Sequence, residues 1–426
     1  AEAIERALDH QTTIAQAAAG IKRCPFELSR LRPEPALRRR RSAMPMRGPL
    51  SGITVVDLSR ILAGPYCTML MAELGARIIK VEPPGKGDDA REYGPFIEGR
   101  STYFASINRG KQSIALDLKA AGDKRIFETL LEKADVIVEN FRPGTMEKLG
   151  YGWEVLHPRY PKLIYACASG FGHTGPNSKD PAYDMVMQGM GGVMSITGYP
   201  GKPPARVGMS IGDIGAGLYT AIAVNAALVH RAMTGETTKI DIGMFDCQLA
   251  LLENAVMRYT VEGEIPGPLG ARHPTITPFQ AFRTQDGNII IAAGNDSLFV
   301  KLADAIGKPA MAQNPDYKTN ALRLKHQPKL QDEIEAVLTT RPTAEWIAVI
   351  AKAGVPCGPI NNIAQALQHP QVAARNMLIT VADPSGATLK LAGNPLKMSA
   401  FADPPTRDPA PDLDGDRAAI LKELGL

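Results

Sequence analysis

A strand-like run at residues 53–58, a helix-like run at 65–74 with proline in its first turn, and a second strand-like run at 77–81 after Gly75 predict a β-α-β unit. Such a crossover joins parallel strands, and a parallel sheet has to be covered by helices on both faces. The same texture continues through strand-like runs at 113–118, 135–139 and 163–168, with a helix-like run near 124–133. An α/β chain with a Rossmann-like large domain is therefore expected. The turn after the first strand, Ser59-Arg60-Ile61-Leu62-Ala63-Gly64-Pro65, lacks the G-x-G-x-x-G that lets a backbone approach a dinucleotide pyrophosphate. The phosphate loop G-x-x-x-x-G-K-[ST] does not occur either, which argues against P-loop nucleotide hydrolysis.

Texture changes along the chain suggest four parts: a basic extension at 1–47, the large domain at 48–262, a smaller α/β domain at 263–357, and a segment at 358–426 that returns to the large domain. The small domain opens on a Pro/Gly-rich stretch and a hairpin-like pair around Gln285-Asp286-Gly287-Asn288. The last part holds a helix-like piece at 371–376, strand-like runs at 378–381 and 388–391, and a terminal helix at 417–424.

The net charge of +4 belongs to the extension, where ten Lys/Arg face five Asp/Glu, leaving the remainder at −1. The run Arg38-Arg39-Arg40-Arg41 lacks interleaved aromatics and shares its segment with Glu2, Glu5, Asp9, Glu27 and Glu34, so neither nucleic-acid binding nor an acid-poor transit peptide is expected. It reads as a solvated appendage or extra upstream sequence, with Met44 and Met46 as alternative starts of the folded unit. The longest apolar candidate, 214–233, is interrupted by Gly217, Asn225, His230 and Arg231, and no membrane span of roughly 18–20 residues is read. Cys24, Cys67, Cys167, Cys247 and Cys357 are odd in number with no C-x-x-C, and no two histidines stand at i, i+4. A reducing compartment and no metal site follow: cytoplasm, or the mitochondrial matrix of a eukaryote.

Three segments are candidate site loops: Gly170-Phe171-Gly172-His173-Thr174-Gly175-Pro176, Pro181-Ala182-Tyr183-Asp184, and Val207-Gly208-Met209-Ser210-Ile211-Gly212-Asp213-Ile214-Gly215. In open α/β sheets ligands bind beyond the carboxyl ends of the strands, where such loops lie. Asp213 precedes a helix-like run at 214–233, which makes it an N-cap worth about 1 kcal/mol. The same position suits a carboxylate nucleophile, with Gly212 and Gly215 allowing a bulky thioester close approach.

With these segments the chain resembles the family III coenzyme A transferases, which include the α-methylacyl-CoA racemases. The resemblance covers residues 48 to about 425, and its marks are specific ones. They are Val56-Asp57-Leu58, Ala63-Gly64-Pro65, Leu74-Gly75-Ala76, Ile79-Lys80-Val81-Glu82, Asn108, Lys111, Ser113, Val138-Glu139-Asn140-Phe141-Arg142-Pro143-Gly144, the Gly170 to Pro176 loop and Gly212-Asp213. The resemblance implies that Asp213 is the catalytic aspartate, acylated by an acyl-CoA and then converted to a thioester before the CoA passes to an incoming acid. It implies a CoA cleft lined by Arg60, Leu62, Ala63, Leu116, Lys119, Asn140, Phe141, Arg142, Lys148 and Tyr183. Pro83 stands where some relatives have a phosphate-facing arginine. It further implies an interlocked homodimer, coenzyme A as substrate and product with no permanently bound cofactor, and an acyl-CoA and a small carboxylic acid as the only partners.

Racemases of this kind carry a His-Asp pair where this chain has Tyr183-Asp184, and tyrosine, with a pKa near about 10, is a poor α-proton base. Transfer is therefore expected over racemisation or non-catalytic CoA binding. The glycine-rich substrate loop of formyl-CoA:oxalate enzymes has no counterpart, and Leu62 replaces their glutamine. The body is similar to succinyl-CoA:glutarate transferases at Arg60-Ile61-Leu62-Ala63-Gly64-Pro65, Gln280-Ala281-Phe282, Ala293-Gly294-Asn295 and Gly354 through Asn362. A succinyl-CoA-like donor and a dicarboxylate acceptor are expected, with Arg272 and His273 as candidates for pairing the distal carboxylate.

Overall fold

The computed structural model describes residues 48–383 and 386–426. The expectations for residues 1–47, Cys24 included, lie outside these. Six strands form one parallel sheet: β1 (Thr54–Asp57), β2 (Arg77–Glu82), β3 (Gln112–Ala115), β4 (Val136–Glu139), β5 (Ile164–Ser169) and β6 (Lys239–Gly243). Their order is β3-β2-β1-β4-β5-β6, in registers such as Val55↔Ile78 and Val55↔Val136. This is the doubly wound Rossmann order, whose connections turn outward in opposite directions from the gap between β1 and β4.

Alternate side chains of each strand enter different cores. Val56, Ile79, Ile114, Ile137 and Tyr165 pack with Phe127, Leu130 and Leu131 of helix α2 (Ala121–Lys133) and with Ile420 of the terminal helix. Val55, Ile78, Val136, Val138 and Ile164 face helix α1 (Ala63–Glu73), together with Ala221, Val224, Ala227 and Leu228 of a long helix at Ile211–Thr234. Burying each such side chain contributes about 1.5–3 kcal/mol. The long helix lies hard against α1 because residue 217 is glycine: a Cβ there would come 2.7 Å from the Ala63 carbonyl.

β6 was not expected from the sequence pattern, because Lys239 and Asp241 make it a polar edge strand rather than an apolar run. The long helix begins three residues earlier than expected. By length and composition alone it is apolar enough to cross a membrane, where the sequence pattern predicts no span, and 44% of that apolar window is buried inside this fold.

Two smaller sheets follow. β7 (Phe279–Arg283), β8 (Asn288–Ala292) and β9 (Cys357–Pro359) are antiparallel, in the order β9-β8-β7. Their core of Phe282, Ile289 and Ile291 is closed by Phe299, Leu302, Ile334, Trp346 and Ile350 from covering helices. β10 (Leu378–Ala382), β11 (Thr388–Ala392) and β12 (Thr406–Arg407) form the third sheet. The chain then reaches the outer edge of β3, where Asp416 accepts from the Ser113 N–H at 2.9 Å and Asp414 from the Ala115 N–H at 2.7 Å.

Candidate active site

The gap between β1 and β4 is bridged by two loops that hold each other. Asn140 Oδ1 accepts from the Arg60 N–H at 2.7 Å, and Asn140 Nδ2 donates to the Arg60 carbonyl at 2.8 Å. Beneath them lies a cluster of ionised side chains that the solvent does not reach. Asp57 and Lys111 pair at 3.1 Å, and Lys80 and Asp88 at 2.9 Å. Burial alone would raise the Asp57 carboxyl, but the charges of Lys111 and Lys80 outweigh it and hold the pKa at about 2. Lys80 Nζ donates to the Ser59 carbonyl at 2.6 Å, and Asp88 Oδ1 accepts from the Ile61 N–H at 3.0 Å. Ile61 itself sits at φ 68°, in the left-handed region.

Asp213 lies in the first turn of the long helix, now α4 (Ile211–Thr234), two residues beyond its first residue. The N-cap is Ser210, so the sequence expectation that Asp213 caps the helix is corrected. The helix begins early because an outside clamp holds the loop before it. Helix α3 (Asp184–Met190) supplies Asp184 Oδ1, which accepts from the Gly212 N–H at 2.8 Å, and Gln188 Oε1, which accepts from the Val207 N–H at 2.8 Å. Gln188 Nε2 in turn donates to Asp184 Oδ2 at 2.8 Å. Both acceptor oxygens of Asp184 are thus engaged, and a Cβ at residue 212 would stand 3.0 Å from Asp184 Oδ1, so a larger residue there would push on the clamp.

Among the described residues no group donates a hydrogen bond to the Asp213 carboxyl and none pairs with it. Burial, and after it the Asp184 charge, pushes its pKa up to about 7. A carboxylate stripped of donors in this way is a better nucleophile than a solvated one. Tyr103, on the short helix Thr102–Asn108, responds to the same charges: burial first and then Asp213 raise its phenol to about 12. No sequence signal singled out Tyr103, and Gln188 gave none either.

The other expected site residues divide by environment. Leu62, Ala63 and Leu116 are buried, so their side chains belong to the packing and their backbone is what a ligand could meet. Phe141 packs half-buried against the core. Arg60 is ion-paired with Asp89. Lys119, Arg142 and Lys148 are exposed cations with no carboxylate partner among the described residues. Tyr183, just before α3, is 69% exposed. Arg272 and His273 lie on the loop before β7. His273 Nδ1 accepts from the Thr275 and Ile276 N–H groups at 3.2 and 3.1 Å, and its ring stacks on Phe279. Neither residue shares a hydrogen bond or ion pair with the Asp184–Asp213 group.

Ligand atoms of Glu139, Cys167 and His173 lie within 4.8 Å of one another, and His173 Nε2, buried and 3.8 Å from Glu139 Oε1, has no hydrogen-bond partner among the described residues. A cation there would meet Lys239, whose Nζ stands 3.2 Å from His173 Nδ1. Burial also raises the Cys167 thiol and lifts Glu139 to about 7. The group is suited to sharing a proton with neutral partners more than to holding a metal.

The CoA-transferase family III model matches residues 50–417. The chain is 46% identical over 379 residues to the acetyl-CoA:oxalate CoA-transferase of Acetobacter aceti, covering 89% of this chain and 96% of that one. It is 36% identical over 377 residues to the human succinyl-CoA:glutarate CoA-transferase, covering 88% and 86%. Among solved structures, a CAIB/BAIF family protein from Brucella suis superposes with a TM-score of 0.77 at 39% identity, over 89% of this chain and 100% of that one.

Proposed function

Because the chain belongs to CoA-transferase family III, we propose that it moves CoA from an acyl-CoA to a short dicarboxylate, with Asp213 as the covalent carrier. The Asp213 carboxylate attacks the thioester carbonyl, giving an aspartyl mixed anhydride and CoA thiolate. The thiolate attacks the aspartyl carbonyl, releasing the donor acid and leaving an aspartyl thioester. The acceptor carboxylate attacks that thioester to form a second anhydride, from which the thiolate takes the new acyl group and restores Asp213. Acyl activation is preserved at each step, and no net proton is consumed.

The observation that carries this reading is the Asp213 carboxyl itself: half-buried, without donors among the described residues, and held at one place by the Asp184–Gln188 clamp. The same clamp speaks against racemisation, since an Asp184 whose two oxygens already accept hydrogen bonds is poorly placed to remove an α-proton. Lys119, Arg142 and Lys148, which have no carboxylate partner among the described residues, supply cations for the phosphates, and Asn140 and the backbone of residues 60–63 the rest of the CoA cleft. Arg272 and His273 are proposed to meet the distal carboxylate of the acceptor, His273 through Nε2, because Nδ1 is engaged in its own loop.

A homodimer is part of the proposal. The outer face of α4 exposes Leu218, Ile222, Val229 and Met233, an apolar stripe suited to a second copy. Free cysteines at 67, 167, 247 and 357 accord with a reducing compartment. Relatives named for oxalate, glutarate and mesaconate support a dicarboxylate acceptor. The test is a panel of acetyl- and succinyl-CoA against oxalate, succinate, glutarate and monocarboxylates. Dicarboxylates should lead in kcat/KM by at least about tenfold. Monocarboxylates leading by that factor would overturn the acceptor class.

A further inference from the structure

Between β1 and α1 the backbone adopts a conformation that its own sequence disfavours. Ile61 holds φ 68°, where a β-branched side chain crowds the backbone and where glycine is the ordinary occupant. The other described non-glycine residues in that region, Glu98, Asn376 and Asp414, are unbranched at Cβ.

The loop remains there because side chains from separate elements hold its polar groups. Asp57 accepts from the Ser59 N–H at 2.9 Å and Lys80 donates to the Ser59 carbonyl at 2.6 Å. Asn140 takes both the N–H and the carbonyl of Arg60, and Asp88 takes the Ile61 N–H. From the Ser59 N–H to the Ile61 N–H no backbone group is left to solvent, so the surroundings over-determine the strained residue. Lys80 and Asp88 are fully buried, and a buried ion pair is seldom retained for stability, since apolar residues of equal volume serve as well. What the pair accomplishes here is geometric. It sets the backbone that leads into Leu62 and Ala63, at an α1 N-terminus with no side-chain cap and no acidic residue in its first turn.

We propose that Asp88 and Lys80 are positioning residues for the acyl-CoA, acting by holding Ile61 left-handed so that the backbone of residues 60–63 is preset for the ligand. The inference rests on the proposed CoA-binding role of that loop. Neither residue touches the reacting atoms. Their effect falls on binding, because a released Ile61 relaxes to negative φ and has to be strained again in every complex.

The test combines equilibrium CoA binding by calorimetry with steady-state kinetics. Asp88→Ala should raise the Kd for CoA and the KM for acyl-CoA about tenfold, with kcat kept within about threefold. Asp88→Asn, which keeps an acceptor for the Ile61 N–H, should stay within about threefold of native. In an Ile61→Gly background the Asp88→Ala penalty should shrink below about threefold, because glycine adopts positive φ freely. Equal penalties in the two backgrounds, or no penalty at all, overturn the proposal. Should Asp88→Ala fail to fold, substitutions at residue 61 decide with Asp88 in place. Ile61→Asn should retain affinity, and Ile61→Pro, pinned near about −65° and lacking the N–H, should lose about tenfold. Equal affinity of the Asn and Pro variants contradicts the proposal. A native protein that binds no CoA overturns the proposed function itself. Firm native binding that is indifferent to these substitutions overturns only this inference.

Discussion

Asp213→Asn should stabilise the folded protein at neutral pH while abolishing turnover. The carboxyl rises from an ordinary 3.8 to about 7, burial being the larger cause and the Asp184 charge the lesser. An acid whose pKa is higher in the folded than in the unfolded state binds its proton more tightly when folded. Stability is therefore lost as pH rises from about 4 to about 7, and the deficit is constant above that. At about 1.36 kcal/mol per pH unit the whole span has a ceiling near about 4 kcal/mol. Asp213 is only half-buried, and solvent screening reduces the expected deficit to about 1–2 kcal/mol. Asparagine keeps the shape without the charge and gives up a favourable first-turn dipole contact of about 0.3–1 kcal/mol, leaving a net gain near about 1 kcal/mol. In a folded unit of this size that is about 1 °C in Tm. Scanning calorimetry of both proteins from pH 5 to 8 should show the gap in Tm widening with pH and levelling off above 7. A gap that does not change with pH, or an Asn variant less stable at pH 8, would mean that the native fold welcomes the charge, and the reasoning about a desolvated nucleophile would fail.

The same pKa predicts that kcat/KM of the free enzyme falls about tenfold per unit below about pH 7, as Asp213 takes up a proton. A profile flat down to pH 5 would contradict it. Gly212→Ala places a Cβ 3.0 Å from Asp184 Oδ1, so kcat should drop at least about tenfold with the fold retained, by circular dichroism and activity measured together. Native kcat would show that the clamp does not position Asp213. Gln188→Ala leaves the Val207 N–H without its acceptor and opens a cavity, a loss of about 2–4 kcal/mol readable in urea denaturation.

The parallel sheet was legible because its central strands are short apolar runs separated by helix-like segments, and β1, β2, β4 and β5 lie within a residue or two of where the pattern puts them. β6 was not, because an edge strand with one polar flank carries no such run. Asp213 stands out in the sequence through Gly212-Asp213 beside a long helix-like run, but the cap expected of it falls to Ser210. The start of the helix and the loop before it are held by Asp184 and Gln188, 28 and 19 residues earlier than the N–H groups they accept from, and no local pattern reports such a partner. Asp57, Lys80, Glu82, Lys111 and Glu139 stood in the sequence only as marks of a resemblance. A lysine or glutamate reads as surface until its counter-charge is known, and those partners come together only when the sheet assembles.

Hydroxylamine trapping tests the central claim most directly. The native protein is incubated with succinyl-CoA or acetyl-CoA in the presence of hydroxylamine, digested, and its peptides sequenced by mass spectrometry. An acylated carboxyl is activated towards this nucleophile, so a hydroxamate should form at Asp213, only when acyl-CoA is present, and not in Asp213→Asn. CoA exchange at native rate by Asp213→Asn, or a hydroxamate at another carboxyl with Asp213 unmodified, would contradict the account.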